Sequence, residues 1–216
     1  MVQGFPWCKD TPKEIGLASL TSKILCDKHN SDLSPLDAAA GESAETLRAM
    51  EKLGEIRSKL KQNYWNVQKF ELNGALMERW FLKTLINIAC GKDYSIGRDS
   101  DVAGRPSPRL VRIAYGQEKF EDKAGLYFAV KVGMTLTMED RVQCVTSVKE
   151  NRIEGAFFNF RGFGFLLFLE AEGPPESFAG ISFGGQDLSD MRPLFRDSSF
   201  TTKFGRYRSH TLKIKW

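Results

Sequence analysis

Residues 75–90 read ALMERWFLKTLINIAC, and their pattern decides how the rest of the chain is arranged. The spacing predicts a helix with apolar side chains on nearly every face, interrupted only by Glu78, Arg79, Lys83 and Asn87. A helix apolar almost all round must be covered on more than one side. This one is therefore expected to be the central packing element, buried between layers. Asn73-Gly74 opens it, and Gly91 is placed to stop it, since glycine enters the left-handed region without steric penalty. Glu78, Arg79 and Trp80 can be read as a polar site or as charges at the wet edge of a buried helix, and the second reading is preferred.

Upstream, residues 35–60 carry Leu36, Ala40, Ala44, Leu47, Met50, Leu53, Ile56 and Leu60 at intervals of three or four. That period predicts an amphipathic helix packing one stripe on the core. Ser34 is the expected N-cap, Pro35 the first helical residue, and Asp37 suits the positive helix end. Residues 64–72 alternate through Trp65 and Val67 and resume one residue late at Phe70 and Leu72, the pattern of a strand with a bulge. Residues 1–22 are broken by Gly4, Pro6, Pro12 and Gly16 and read as an irregular arm.

Downstream, Gly97, Gly104, Pro106 and Pro108 make residues 92–108 a loop, given positive charge by Arg98, Arg105 and Arg109. Strands are expected over 110–115, 126–132, 142–148, 155–160, 163–169, 178–183 and 210–216. Turns separate them at Gly116-Gln117, Glu150-Asn151, Arg161-Gly162, Gly173-Pro174-Pro175 and Gly184-Gly185. Phe163-Gly164-Phe165 is no phosphate loop, because no helix start follows it. The expected class is α+β: an N-terminal finger remnant and two helices packed on a C-terminal antiparallel β-sheet or sandwich. The expected divisions are 1–33, arm and finger remnant; 34–91, two helices with an intervening strand; and 109–216, the β domain.

With 216 residues there is ample material for a core, and 42% hydrophobic against 27% charged is a globular balance. A net charge of +4 permits an anionic partner without requiring one. Cys8, Cys26, Cys90 and Cys144 are scattered, and the first residues lack the basic start and apolar run of a signal peptide. Disulfides are not expected, and the expected location is cytoplasmic. No apolar stretch reaches membrane-spanning length, so no membrane partner is expected.

One stretch suggests a specific chemistry. Residues 23–41 read KILCDKHNSDLSPLDAAAG, with Cys26 and His29 two residues apart, then Asn30, then the helix start. This resembles the second half of the zinc-stapled HNH endonuclease fingers, in which a Cys-x-x-Cys-Asn turn precedes a helix. The resemblance implies that His29 stands where the second Cys of the later pair stands, and that Asn30 holds the catalytic region in place. The fuller pattern has an upstream Cys-x-x-Cys and an intervening segment whose His is the general base. Neither occurs here, and the only other histidine is His210. The expectation is a finger without its first half, holding a partial or vestigial zinc site.

On the residues alone two readings stay open. In one, Cys26 and His29 ligate zinc with Cys8 as a third ligand and Asp10, Asp27 or water as the fourth. In the other, Cys26 is a half-buried thiol and His29 a loop imidazole bonded to backbone. HNH-type cleavage needs a general base and a metal on the leaving oxygen. No residue beside Asn30 can be named as that base, so no catalytic residue is assigned and nuclease activity is expected to be weak or absent.

Residues 192–216 are the most basic part: Arg192, Arg196, Lys203, Arg206, Arg208, Lys213 and Lys215 against the single acid Asp197. Phe195, Phe200, Phe204, Tyr207 and Trp216 are interleaved with them. Cations that neutralise phosphates and rings that stack on bases have this composition, which points to DNA or RNA. The competing reading is a wet strand face over a core face. His210, Leu212, Ile214 and Trp216 share one face of the last strand, with Thr211, Lys213 and Lys215 on the other. That makes His210 a packed, hydrogen-bonded core residue and gives Lys213 and Lys215 a lesser role if their face is covered. The leading expectation is an HNH-finger-related protein touching nucleic acid through Arg192, Arg196, Lys203, Arg206 and Arg208. If it is an enzyme, it is an HNH-type endonuclease. The alternative is a β module that binds a protein or small ligand, with the finger remnant as a structural cap.

Overall fold

Asn73 sets the start of the central helix: its side-chain oxygen accepts the Leu76 N–H at 3.0 Å, satisfying one of the donors a helix start leaves open. At the far end the Cys90 N–H reaches the Ile86 carbonyl, and Gly91 then turns left-handed at φ +73°. These features belong to a computed structural model, which describes residues 2–3, 27–61, 66–91, 93–100, 102–121, 123–131, 142–170, 182–183, 186–187, 191–194, 199–204 and 207–216.

Among the described residues the helices are α1 (Asp27–Lys59), α2 (Gly74–Ala89) and α3 (Pro108–Ala114). The strands are β1 (Val2–Gln3), β2 (Gln68–Asn73), β3 (Ser95–Ile96), β4 (Gly125–Lys131), β5 (Val142–Lys149), β6 (Arg152–Phe160), β7 (Phe163–Phe168), β8 (Ser182–Phe183), β9 (Gln186–Asp187), β10 (Met191–Leu194), β11 (Ser199–Phe204) and β12 (Tyr207–Lys215). The larger sheet has the order β1-β5-β6-β7-β4-β10, with β3 also paired to β6. Only its β1–β5 and β3–β6 pairings are parallel. The smaller sheet has the order β11-β12-β2: an antiparallel hairpin to which β2 adds in parallel. β8 and β9 form a separate hairpin. The fold is α+β, helices packed on mixed, largely antiparallel sheets.

α2 is the centre, as its composition requires. It touches α1 and α3, β4 and β7 of the larger sheet, and β2 and β12 of the smaller. Fully buried Phe81 packs on Phe158 and Phe165 at ring-centroid distances of 4.6 and 5.1 Å. Leu72, Leu212 and Ile214 from the smaller sheet join the same core, so one apolar interior runs through both sheets. The other face of the larger sheet is buried as well, around Tyr127, Ala129, Phe157 and Leu166. Burial on both faces is why β6 and β7 read as continuous apolar runs rather than as alternations.

β4, β5, β6, β7 and β12 lie where strands were expected. Glu150-Asn151 and Arg161-Gly162 form the expected tight turns, with φ of 50° and 61° in the first and 51° and 83° in the second. Those left-handed pairs match the twist of the strands they join. Of the strand expected over 178–183 only β8 is described, and the Gly173-Pro174-Pro175 and Gly184-Gly185 turns lie outside the described residues.

Three expectations are corrected. Residues 110–115 are not a strand but α3 and its cap. The Ser107 hydroxyl accepts the Leu110 N–H at 3.3 Å, Pro108 opens the first turn, and Leu110, Ile113 and Ala114 are buried at helical spacing. Gly116 follows with φ +73°, ending a helix rather than joining two strands. The same Ser-Pro signal at Ser34-Pro35 does not start α1, which begins at Asp27 with Pro35 inside it. Leu33 and Leu36 are both buried, so the packed stripe continues upstream of the proline. Burying one leucine stabilises by about 1.5–3 kcal/mol, comparable with the roughly 3 kcal/mol an interior proline costs.

The expected bulge near Val67 is absent from β2, which starts at Gln68 and pairs with β12 without a register shift; Val67 is exposed beside it. Tyr64 and Trp65 lie outside the described residues. Residues 191–194 and 199–204 are two further strands, β10 and β11, that were not among the expected ones.

Candidate functional site

The finger region is only partly described. Cys8 and Cys26 lie outside the described residues. His29 and Asn30 fall within the first turn of α1, so the turn expected between Cys26 and Ser34 is helical backbone from Asp27 onward. No cluster of three or more His, Cys, Asp or Glu side chains suited to a metal occurs among the described residues. Cys90 is half-buried, Cys144 is buried, and both are free thiols.

Glu78, Arg79 and Trp80 correct the reading that put them at a wet edge. Glu78 is buried, and its carboxylate accepts the Leu126 N–H at 2.8 Å. Arg79 donates to the Ala114 carbonyl at 3.0 Å, placing a cation on the negative end of α3. The indole N–H of Trp80 donates to Asp37 of α1 at 3.2 Å, and Lys83, itself buried, meets the other oxygen of that carboxylate at 2.6 Å. Three consecutive residues thus tie α2 to β4, α3 and α1 in turn. Their roles are positional.

Two of the three loop arginines are engaged by carboxylates, while Arg105 is exposed. Arg98 pairs with Glu170 at 3.6 Å, and Arg109 with Glu118 and Glu121 at 3.4 and 3.2 Å. The Arg112 hydrogen bond, with Arg109 nearby, lowers the pKa of Glu118. Buried Arg161, in the β6–β7 turn, lies 3.7 Å from Glu51 of α1 and closes another such link.

The C-terminal cations divide between the sheets. Arg192 stands on β10, in register with Val130, at an edge of the larger sheet. Lys203 and Arg208 are register partners across β11 and β12 in the smaller sheet, immediately past a bulge. Arg196 and Arg206 lie outside the described residues. The three described residues of that expected patch therefore belong to two different sheets.

β12 has the two faces its alternation predicts. His210, Leu212 and Ile214 are buried, while Lys213 and Lys215 are exposed. Burial pushes the His210 imidazole down to about 4, with the charge of Arg57 acting in the same direction. Its ring sits 5.7 Å from that of Phe70. Sequence reasoning missed that β2 lies beside this strand. The pairing sets Lys69 opposite Thr211 and Glu71 opposite Lys213 on the same open face. Alternation within residues 68–73 was the available signal, with Phe70 and Leu72 against Lys69 and Glu71; which strand they would join was not in the local pattern.

No family model, curated protein or solved structure matches the chain. None of the described helices is long and apolar enough to cross a membrane.

Proposed function

We propose that this protein binds DNA or RNA through backbone phosphates, as a relative of the HNH fingers whose own nuclease chemistry is weak or absent. The observation that carries the reading is the Lys203–Arg208 register pair at the end of the β11–β12 hairpin. Two cations in register there offer adjacent positive charge to a polyanion, and a two-stranded ribbon is narrow enough to enter a nucleic-acid groove. Arg206 falls between the two in sequence and adds to the local charge.

Titration of labelled single- and double-stranded oligonucleotides at 50 and 200 mM salt tests this. Two phosphate contacts predict about a tenfold loss of affinity across that range. A folded Lys203→Ala/Arg208→Ala variant should bind more weakly, with a log–log slope shallower by about two units. Failure of the wild type to bind at low salt would hand the decision to a protein- or ligand-binding β module.

A further inference from the structure

We infer that the nucleic acid lies across the outward face shared by β2 and β12, with Lys69, Lys213 and Lys215 on its phosphates and Glu71 opposing it. This rests on the nucleic-acid reading above and adds a contact surface that combines two distant parts of the chain. The parallel β2–β12 register fixes it: Lys69 pairs with Thr211, and Glu71 with Lys213. Phe70, Leu72, Leu212 and Ile214 turn toward the core, so the residues between them face outward. Lys69, Lys213 and Lys215 are all exposed.

The charges on this face are unbalanced. Among the described side chains on it, Glu71 is the one acid against Lys69, Lys213 and Lys215, and it is ion-paired with Lys215. Among the described residues Lys69 and Lys213 have no ion-pair partner. Lys213 and Lys215, two residues apart on one strand, are separated by about 7 Å; Lys69, one strand over and two residues along from Lys213, by roughly 8 Å. A duplex carries one charge per ~1.7 Å of axis, so every such interval spans several phosphates. The face is also without rings among the described residues: Phe70 and Trp216 pack against the core. Contacts here go to phosphates rather than to stacked bases, which makes binding by this face independent of sequence.

Fluorescence anisotropy with mixed-sequence and homopolymer duplexes tests the inference on the full chain, each variant first checked by circular dichroism. Lys69→Ala and Lys213→Ala should each make the log–log salt slope shallower by about one unit, equally for both duplexes. Glu71→Gln should tighten binding about two- to five-fold at low salt, with the gain fading at high salt. Wild-type binding with Lys69→Ala and Glu71→Gln both unchanged would overturn this surface while leaving the hairpin reading intact. No wild-type binding at 50 mM salt would overturn both.

Discussion

The Glu78 carboxylate accepts the Leu126 backbone N–H at 2.8 Å, two residues beyond the last register pair that β10 makes with β4, Leu194–Phe128. A helix side chain thereby satisfies a strand donor on the side β10 has already left. Glu78→Leu should leave that buried N–H unpaired and destabilise the fold by about 1–3 kcal/mol, whereas Glu78→Gln keeps an acceptor and should lose less. Urea denaturation of the two variants, compared at equal slope, checks the order.

Gly155 faces the β7 backbone so closely that a Cβ there would stand 2.5 Å from the Leu167 carbonyl oxygen. Strand backbone on both sides cannot yield as a flexible side chain can. Gly155→Ala is expected to destabilise by about 1–3 kcal/mol through displacement of β6 from β7. Thermal melts would register it. An unchanged melting temperature would mean the sheet absorbs a methyl group where the geometry shows no space.

His210 should make the fold acid-sensitive. Its imidazole is held at about 4 in the folded chain, below the ordinary value of 6.5. As pH falls through 6.5 the unfolded chain takes up a proton that the folded chain refuses. Stability therefore drops between about pH 6.5 and 4, by about 3 kcal/mol in total, and levels off below. Above pH 6.5 the residue is neutral in both states and contributes no slope. Denaturation midpoints at pH 7 and 4.5 should differ, and His210→Phe should reduce that difference.

Zinc content separates the two readings of the finger remnant. Metal analysis of purified protein should give clearly less than one zinc per chain, because Cys26 and His29 supply two ligands where a structural site needs four. A full equivalent that is lost on Cys26→Ala would show a complete ligand set.

Plasmid incubated with the protein and magnesium, manganese or zinc should stay largely intact, since no general base is assigned beside Asn30. Robust cutting that disappears in His29→Ala would make His29 catalytic.

Local composition determined much of this molecule. The all-round apolar character of residues 75–90 was enough to predict α2 as the centre, and Asn73 and Gly91 marked its ends. The strand alternation of residues 210–216 placed His210 inside and Lys213 and Lys215 outside, because a two-residue period is a property of the backbone itself. Ser107-Pro108 carried a helix start as legible as Ser34-Pro35. Only burial decided between them: Leu110, Ile113 and Ala114 find the core as a helix, while Leu33 extends α1 past its proline. Pairing was not legible at all. That β2 lies parallel to β12, setting Lys69 and Glu71 beside Lys213, depends on both strands burying their apolar faces against α2. Nothing within either segment specifies its neighbour, because backbone hydrogen bonds are the same for every strand; the shared core selects the partner.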